Sequence, residues 1–408
     1  MQNEALRRAL AQLARKMTIT TNAAAFDSWI RTGFREINTE LEEIYFAQKN
    51  RAAVQSVGDS IKKRLVEQGR SYIVDLLDEG NTDEGFDSGF DLLGNVGLYM
   101  GACRRHEITE PSRENKSPLI EASALALQLG ASLGVTPRFA TSHLATHNYA
   151  LNGAYKSFTS LEAEYLFLEY NTRGVFAYKR AADALVRTLP LGVSHPVSYD
   201  LLVAAKDALM DVIAVNDRLF EKLDRDRFFY CVRPYYKPYR VGLHEYRGAN
   251  AGDFAGINEI DLLLGLCSPD NLSYSQLLVD KFLYMMPEDQ SRLRDVMRRQ
   301  SLLDSFLEHV ESHGSEKWFQ KNGRIFLEVC EAHGNTAAQH HDQLVSKYIE
   351  KPAEELPEES LNDITASGPP LDVVLGALEK LRDLRMAADR DDIPSRFADI
   401  QRLKARLS

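Results

Sequence analysis

Cysteine is scarce and scattered in this chain. Its four copies, Cys103, Cys231, Cys267 and Cys330, stand far apart, and no two form a CxxC pair. That spacing excludes a zinc ribbon and a disulfide framework, and it suits a reducing, cytoplasmic setting. Positive charge is in deficit: 49 Lys and Arg against 59 Asp and Glu leave a formal net charge of -10. With no basic cluster, a nucleic-acid partner is not expected. Long apolar runs are missing too. Runs such as Ala124–Leu127 and Leu262–Leu266 are far too short to cross a bilayer, so no membrane partner is expected. The N-terminus, MQNEALRRALAQLARK, lacks the apolar region of a signal peptide and reads as an amphipathic helix. There is no P-loop, no GxGxxG after a strand, no GxSxG elbow and no HExxH pair.

What is present is helix. The 408 residues are 44% apolar, ample for a large core. Apolar residues recur at helical spacing, and strand-like alternation is rare and short, so the expected fold is all-α. Helices are expected at 1–15, 22–48, 52–78, Phe90–Cys103, Leu119–Gly134, Ser160–Arg187 and Tyr199–Lys222. More follow at Ile257–Leu266, Tyr274–Met285, Pro287–Val310, Glu316–Ile349 and Leu371–Ala388, the last of them. Thr159–Glu162, TSLE, reads as a capping box that opens the helix after it. Lys351–Glu359 is rich in Pro and Glu and reads as a surface loop. The chain divides into a smaller N-terminal helical part, 1–158, and a larger helical part, 159–408.

Two stretches carry candidate chemistry. In Phe326–Ile349, one helical stripe holds Cys330, Gly334, Ala337, His341, Leu344 and Tyr348. His341 therefore points where the apolar residues point, beside Ala337, Ala338 and Gly334. An imidazole next to residues with almost no side chain leaves room for a flat group, and a heme is one candidate. The same pattern suits a core histidine satisfied by hydrogen bonds, with a tight helix contact at the small residues. His340 diverges from His341 by about 100° on a helix, so the two cannot share one metal. His333, two turns earlier, reads as a surface or capping residue, or as a supporting neighbour of the site.

The second stretch is Phe228–Gly242, FFYCVRPYYKPYRVG. Arg233 sits among Phe228, Phe229, Tyr230, Tyr235 and Tyr236. A guanidinium amid rings suits the carboxylate of an aromatic amino acid, whose side chain the rings would pack. A structural arginine stacked on tyrosine fits equally. The loop YRGANAGDFAG, 246–256, has the glycines that let backbone approach a ligand. An ordinary connector would look the same.

Taken in order, these segments resemble the heme-dependent superfamily of indoleamine and tryptophan 2,3-dioxygenases. They are most similar to its branch containing monodechloroaminopyrrolnitrin synthase. GLYMGACRRH at 97–106, AYKSFTSLEAE at 154–164 and VRPYYKPYRVG at 232–242 look like that branch. FFYCVR at 228–233, the glycine-rich loop with DLLLG at 261–265, and HHDQLVSKYI at 340–349 fit the dioxygenases. The resemblance implies an indoleamine 2,3-dioxygenase-like fold with a b-type heme buried in the larger part. It makes His341, not His340, the iron ligand, beside Ala337 and Ala338, and puts Asn250 and Gly252 in a loop bordering the heme. It implies that Phe228 and Arg233 hold substrate. It places Tyr170 near a distal serine of the family, and Ser367, in TASGPP, near a threonine of a closing loop.

The implied activity is an O2-dependent oxygenase acting on tryptophan or a related indole or aromatic amino acid, a small-molecule aromatic substrate, with a reductant or redox partner to supply electrons if needed. Cleavage of the indole 2,3-bond competes with mono-oxygenation or ring rearrangement, and a non-catalytic heme sensor or carrier would use the same fold. The chain departs from the dioxygenases at Asn250, Asp253, Phe254 and Ala255. It also has Ala338 where they place an arginine near a heme propionate. Fold and heme therefore carry over better than the reaction.

Overall fold

The computed structural model describes residues 21–80, 85–151, 154–249, 254–351 and 371–407. These fall into two compact units. Among the described residues the fold is all-α apart from one short hairpin and an isolated bridge between Leu151 and Ala154. The sequence division falls at 158/159; the chain passes from the first unit to the second at 165/166, and 227–249 belong again to the first.

The first unit begins with α1 (21–31) and α2 (Gly33–Phe46), joined by a turn at Thr32. Then come α3 (Asp59–Glu79), α4 (Phe86–Arg105), α5 (Ile120–Leu133) and the single turn α6 (Thr141–Leu144). The apolar stripes expected at 26–41 are buried: Phe26, Ile30, Phe34, Ile37 and Leu41 form core. The helix expected at 52–78 starts only at Asp59. Ser56 and Gly58 hold φ of 57° and 71°, and these left-handed residues end any regular run before it. Val54 is buried nonetheless, and its carbonyl accepts from the Lys62 ammonium at 2.7 Å. The returning segment begins with one wide turn, Phe228–Val232, and one tight turn, Arg233–Tyr236. It ends in a hairpin of β1 (Tyr239–Val241) and β2 (His244–Tyr246), paired antiparallel with Tyr239 opposite Tyr246.

The second unit is built on α7 (Glu162–Thr188), most of which lies in it, and on α8 (Pro196–Lys222), which is followed by the single turn α9 (Arg225–Arg227). Next are α10 (Ala255–Leu264), α11 (Leu272–Phe282), α12 (Pro287–Val296) and α13 (Leu302–His309). The expected single helix over Pro287–Val310 is two. The Ser301 hydroxyl accepts from the Asp304 amide at 3.1 Å, so a new helix is capped where the old one would continue. The capping of α7 also differs. The carboxylate that reaches back is Glu164, not Glu162; it accepts from the amides of Phe158 and Thr159, both at 2.7 Å, and from the Thr159 hydroxyl.

α14 (Lys317–Gln339) packs along α8. Its aromatic stripe, Phe319 and Phe326, closes on Phe306 of α13. The helix then widens into i→i+5 turns over His340–Glu350. Tyr348 anchors these turns to the end of α8, donating to the carbonyls of Phe220 and Leu223. α15 (Leu371–Arg385) stops short of the expected Ala388, and a further helix, α16 (Phe397–Leu407), buries Ile400, Leu403 and Leu407. The expected helix at 1–15, the 352–359 part of the acidic loop and TASGPP lie outside the described residues.

Candidate functional site

The stripe read from the sequence holds where α14 is a regular helix. Cys330, Gly334 and Ala337 are buried, and Ala338 is half-buried. Gly334 does serve a tight helix contact: a Cβ there would lie 3.2 Å from Met386 Cα and 3.3 Å from the Arg385 carbonyl oxygen, just past α15. Beyond Gln339 the wider turns change the geometry. His341 is half-buried, with 21% of its side chain exposed. Its Nδ1 faces the Asp342 carboxylate at 3.1 Å and the Arg382 guanidinium at 3.3 Å. The guanidinium can only donate and the carboxylate can only accept, so the two contacts call for opposite tautomers; in the one with the proton on Nδ1, donated to Asp342, Nε2 keeps its lone pair. That is the arrangement by which a neutral histidine ligates a metal while a carboxylate fixes its ring. The donor set at His341 therefore fits a heme iron.

His340 presents a different aspect. Its ring is exposed, and no side chain or carbonyl among the described residues hydrogen-bonds it. Yet loss of hydration pushes its imidazole down to about 4, with Arg385, His341 and Lys281 adding repulsion.

Below this pair lies a cluster that the sequence reading did not assemble. Asp261 of α10 is fully buried and accepts from Arg385 Nε and from the second guanidinium nitrogen, both at 2.8 Å. It also accepts from the Tyr274 hydroxyl at 2.8 Å and from His333 Nε2 at 2.7 Å. Burial works against the Asp261 charge, but Arg385 and His333 hold its carboxyl well below the usual range. His333, expected at the surface or a cap, is fully buried, because α14 turns that face toward α10 and α15. The only sequence signal was an aspartate opening the apolar run DLLLG.

Arg233 belongs to the first unit. It is half-buried, and its guanidinium carbon lies 5.6 Å from the centroid of the Phe229 ring. Among the described residues no carboxylate pairs with it. Burial alone pushes its pKa down to about 10, so it stays charged at neutral pH. Phe228 is buried beside it in the chain, as are Tyr235 and Tyr236. Tyr170, in the second unit, is buried. Its hydroxyl accepts from Lys222 Nζ at 3.1 Å, and Arg173 lies 5.5 Å from its ring centroid. Asn250, Gly252 and Ser367 lie outside the described residues. Phe254, which follows that loop, is buried 6.3 Å from the Tyr178 ring.

A family model of monodechloroaminopyrrolnitrin synthase PrnB matches residues 20–407. The match spans the aromatic segment of Arg233 and the helix of the two histidines alike. The chain belongs to this family, and with it to the heme-dependent superfamily of tryptophan and indoleamine dioxygenases; it is an oxidoreductase of the heme-dependent oxygenase type.

Proposed function

We propose that the chain binds a b-type heme through His341 and oxygenates tryptophan or a related indole or aromatic amino acid. The observation that carries the substrate reading is Arg233, a deep-set guanidinium with no carboxylate opposite it among the described residues. A half-buried cation without a carboxylate beside it is costly, and a bound carboxylate would complete it. A bidentate fork suits a substrate carboxylate, and the Phe228 ring suits an aromatic side chain. When bound, the heme supplies the activation of O2, and the protein supplies orientation. His341 would hold the iron through Nε2, in the tautomer whose Nδ1 proton is donated to Asp342. Arg233 fixes one end of the substrate so that the ring presents a constant edge.

Two reactions fit such a site: cleavage of the indole 2,3-bond, and mono-oxygenation or ring rearrangement. The matched family is named for a synthase of the pyrrolnitrin type, which favours the second. That reaction would draw on a reductant or redox partner. Product analysis with tryptophan separates the two, because N-formylkynurenine marks cleavage.

A second reading concerns the ligand alone. His340, next to His341 in the chain, is exposed, and no group among the described residues hydrogen-bonds its ring, so its imidazole is also open to iron. Absorption spectra of the heme-loaded protein decide. We expect a Soret band that shifts on reduction and with CO, lost in His341→Ala and kept in His340→Ala. The reverse pattern transfers the role to His340, and no heme uptake by the wild type would sink the heme reading.

A further inference from the structure

The motif GLYMGACRRH ends α4 with two arginines and a histidine, and nothing above uses them. Arg105 is 7% exposed and Glu42 of α2 is fully buried. They form a bidentate pair, with Nε and one terminal nitrogen of Arg105 each 2.8 Å from a Glu42 oxygen. That same terminal nitrogen donates to the Tyr230 carbonyl at 2.8 Å. Tyr230 lies within the wide turn, between Phe228 and Arg233. Its carbonyl would accept in a regular helix from residue 234, which is Pro234 and has no N–H. Arg105 supplies the donor that the proline withholds. Cys231 and Tyr235, on either side of Arg233, face the same carboxylate and favour its charged form. Arg104 donates from Nε to the Pro238 carbonyl at 3.2 Å and pairs with Glu110 at 2.8 Å.

Core stability does not account for this arrangement. An apolar pair of the same volume commonly serves a core as well as a buried ion pair. What only the fork offers is a third donor aimed at a fixed carbonyl. Burial works against the charge on Arg105, but the Glu42 carboxylate holds its pKa above the ordinary value, so the fork stays protonated.

We propose that Glu42 and Arg105 are positioning residues: a buried clamp that fixes the Phe228–Tyr236 segment and so sets the direction of Arg233. The proposal rests on the reading that Arg233 takes the substrate carboxylate. Arg105→Lys keeps the charge opposite Glu42 but cannot reach both that carboxylate and the Tyr230 carbonyl in one geometry. The double variant Glu42→Met/Arg105→Met keeps the volume and removes the clamp, which covers the case in which a single variant fails to fold.

The experiment takes the heme-loaded protein through two measurements. Hydrogen–deuterium exchange of the peptide covering 228–236 is expected to rise about 10-fold or more in both variants, with the α14 peptides unchanged. The KM for tryptophan is expected to rise about 10-fold with kcat changed much less, while binding of 3-methylindole, which has no carboxylate, stays at the wild-type level. Exchange at the wild-type rate in both variants overturns the clamp. Equal losses for tryptophan and 3-methylindole overturn its role in directing Arg233. Raised exchange with unchanged tryptophan KM in both the variants and Arg233→Ala locates the failure in the Arg233 reading, with the clamp itself standing.

Discussion

The half-buried Arg233 and the buried His143 make opposite uses of a nitrogen base. Arg233 keeps its charge and has no carboxylate among the described residues, so it is open to a ligand. Charge-assisted hydrogen bonds contribute about 1.5–3 kcal/mol. Arg233→Ala should therefore weaken binding of an aromatic amino acid by roughly 10- to 100-fold, with heme content unchanged. A spectral titration checks this; unchanged affinity removes Arg233 from the substrate site. His143 instead gives up its charge. Its Nδ1 accepts from the Ala140 amide at 2.9 Å, and its Nε2 donates to the Phe90 carbonyl at 2.9 Å. The Phe90 ring stacks on it at 3.8 Å. Burial pushes its imidazole down to about 3. The unfolded chain protonates this residue near 6.5 and the folded protein does not, so stability is full above 6.5 and is lost as pH falls from there toward about 3. Between pH 7 and pH 5 the loss is about 2 kcal/mol from this residue. Denaturant midpoints at the two pH values should show it, and His143→Asn should flatten the slope even if it lowers the plateau. At this scale the sequence was partly legible. Arg233 was visible because five aromatics surround it in the chain. The partners of Glu42 and Asp261 were not, because contacts far apart in sequence leave no local pattern.

At the scale of the element, α14 decides most. Its apolar stripe was readable from spacing, since a regular helix repeats every 3.6 residues. Its last turns were not, because i→i+5 hydrogen bonding changes which residues share a face. Tyr348 holds that widened stretch to two carbonyls of the α8 end. Tyr348→Phe should cost about 1–2 kcal/mol by the lost hydrogen bond. If the stretch carries the iron ligand, heme affinity should fall in parallel, which hemin titration would measure. Gly334 sets two effects against each other. Alanine there would favour the helix by about 1 kcal/mol. Its Cβ, however, would press on backbone atoms near Met386 that cannot swing aside, at about 1–3 kcal/mol for an overpacked contact. Gly334→Ala is therefore expected to lower the unfolding midpoint, and a raised midpoint would show that the end of α15 yields. The break at Ser301 and the late start at Asp59 follow from one cause. Capping and left-handed residues end a helix even where apolar spacing continues.

For the molecule as a whole, the thiols give a direct check on compactness. All four cysteines are buried and unpaired. Burial pushes Cys103 and Cys231 up to about 12, and Cys267 and Cys330 also upward. The native protein should thus be nearly inert to a thiol reagent at neutral pH, and denaturant should release four equivalents. Early reaction of one thiol would mark the element that opens first. Among the described residues no helix is long and apolar enough to cross a membrane. The all-α class, the helical stripes, the aromatic surroundings of Arg233 and the ordered motifs of the family all follow from the sequence alone, since periodicity and local strings are properties of neighbours along the chain. Tertiary structure alone decided that Arg105 replaces the missing amide of Pro234, that Asp261 gathers His333 and Arg385, and that His340 and His341 face different surroundings. Each of these depends on which distant group meets a buried polar atom, and that is settled only when the helices pack.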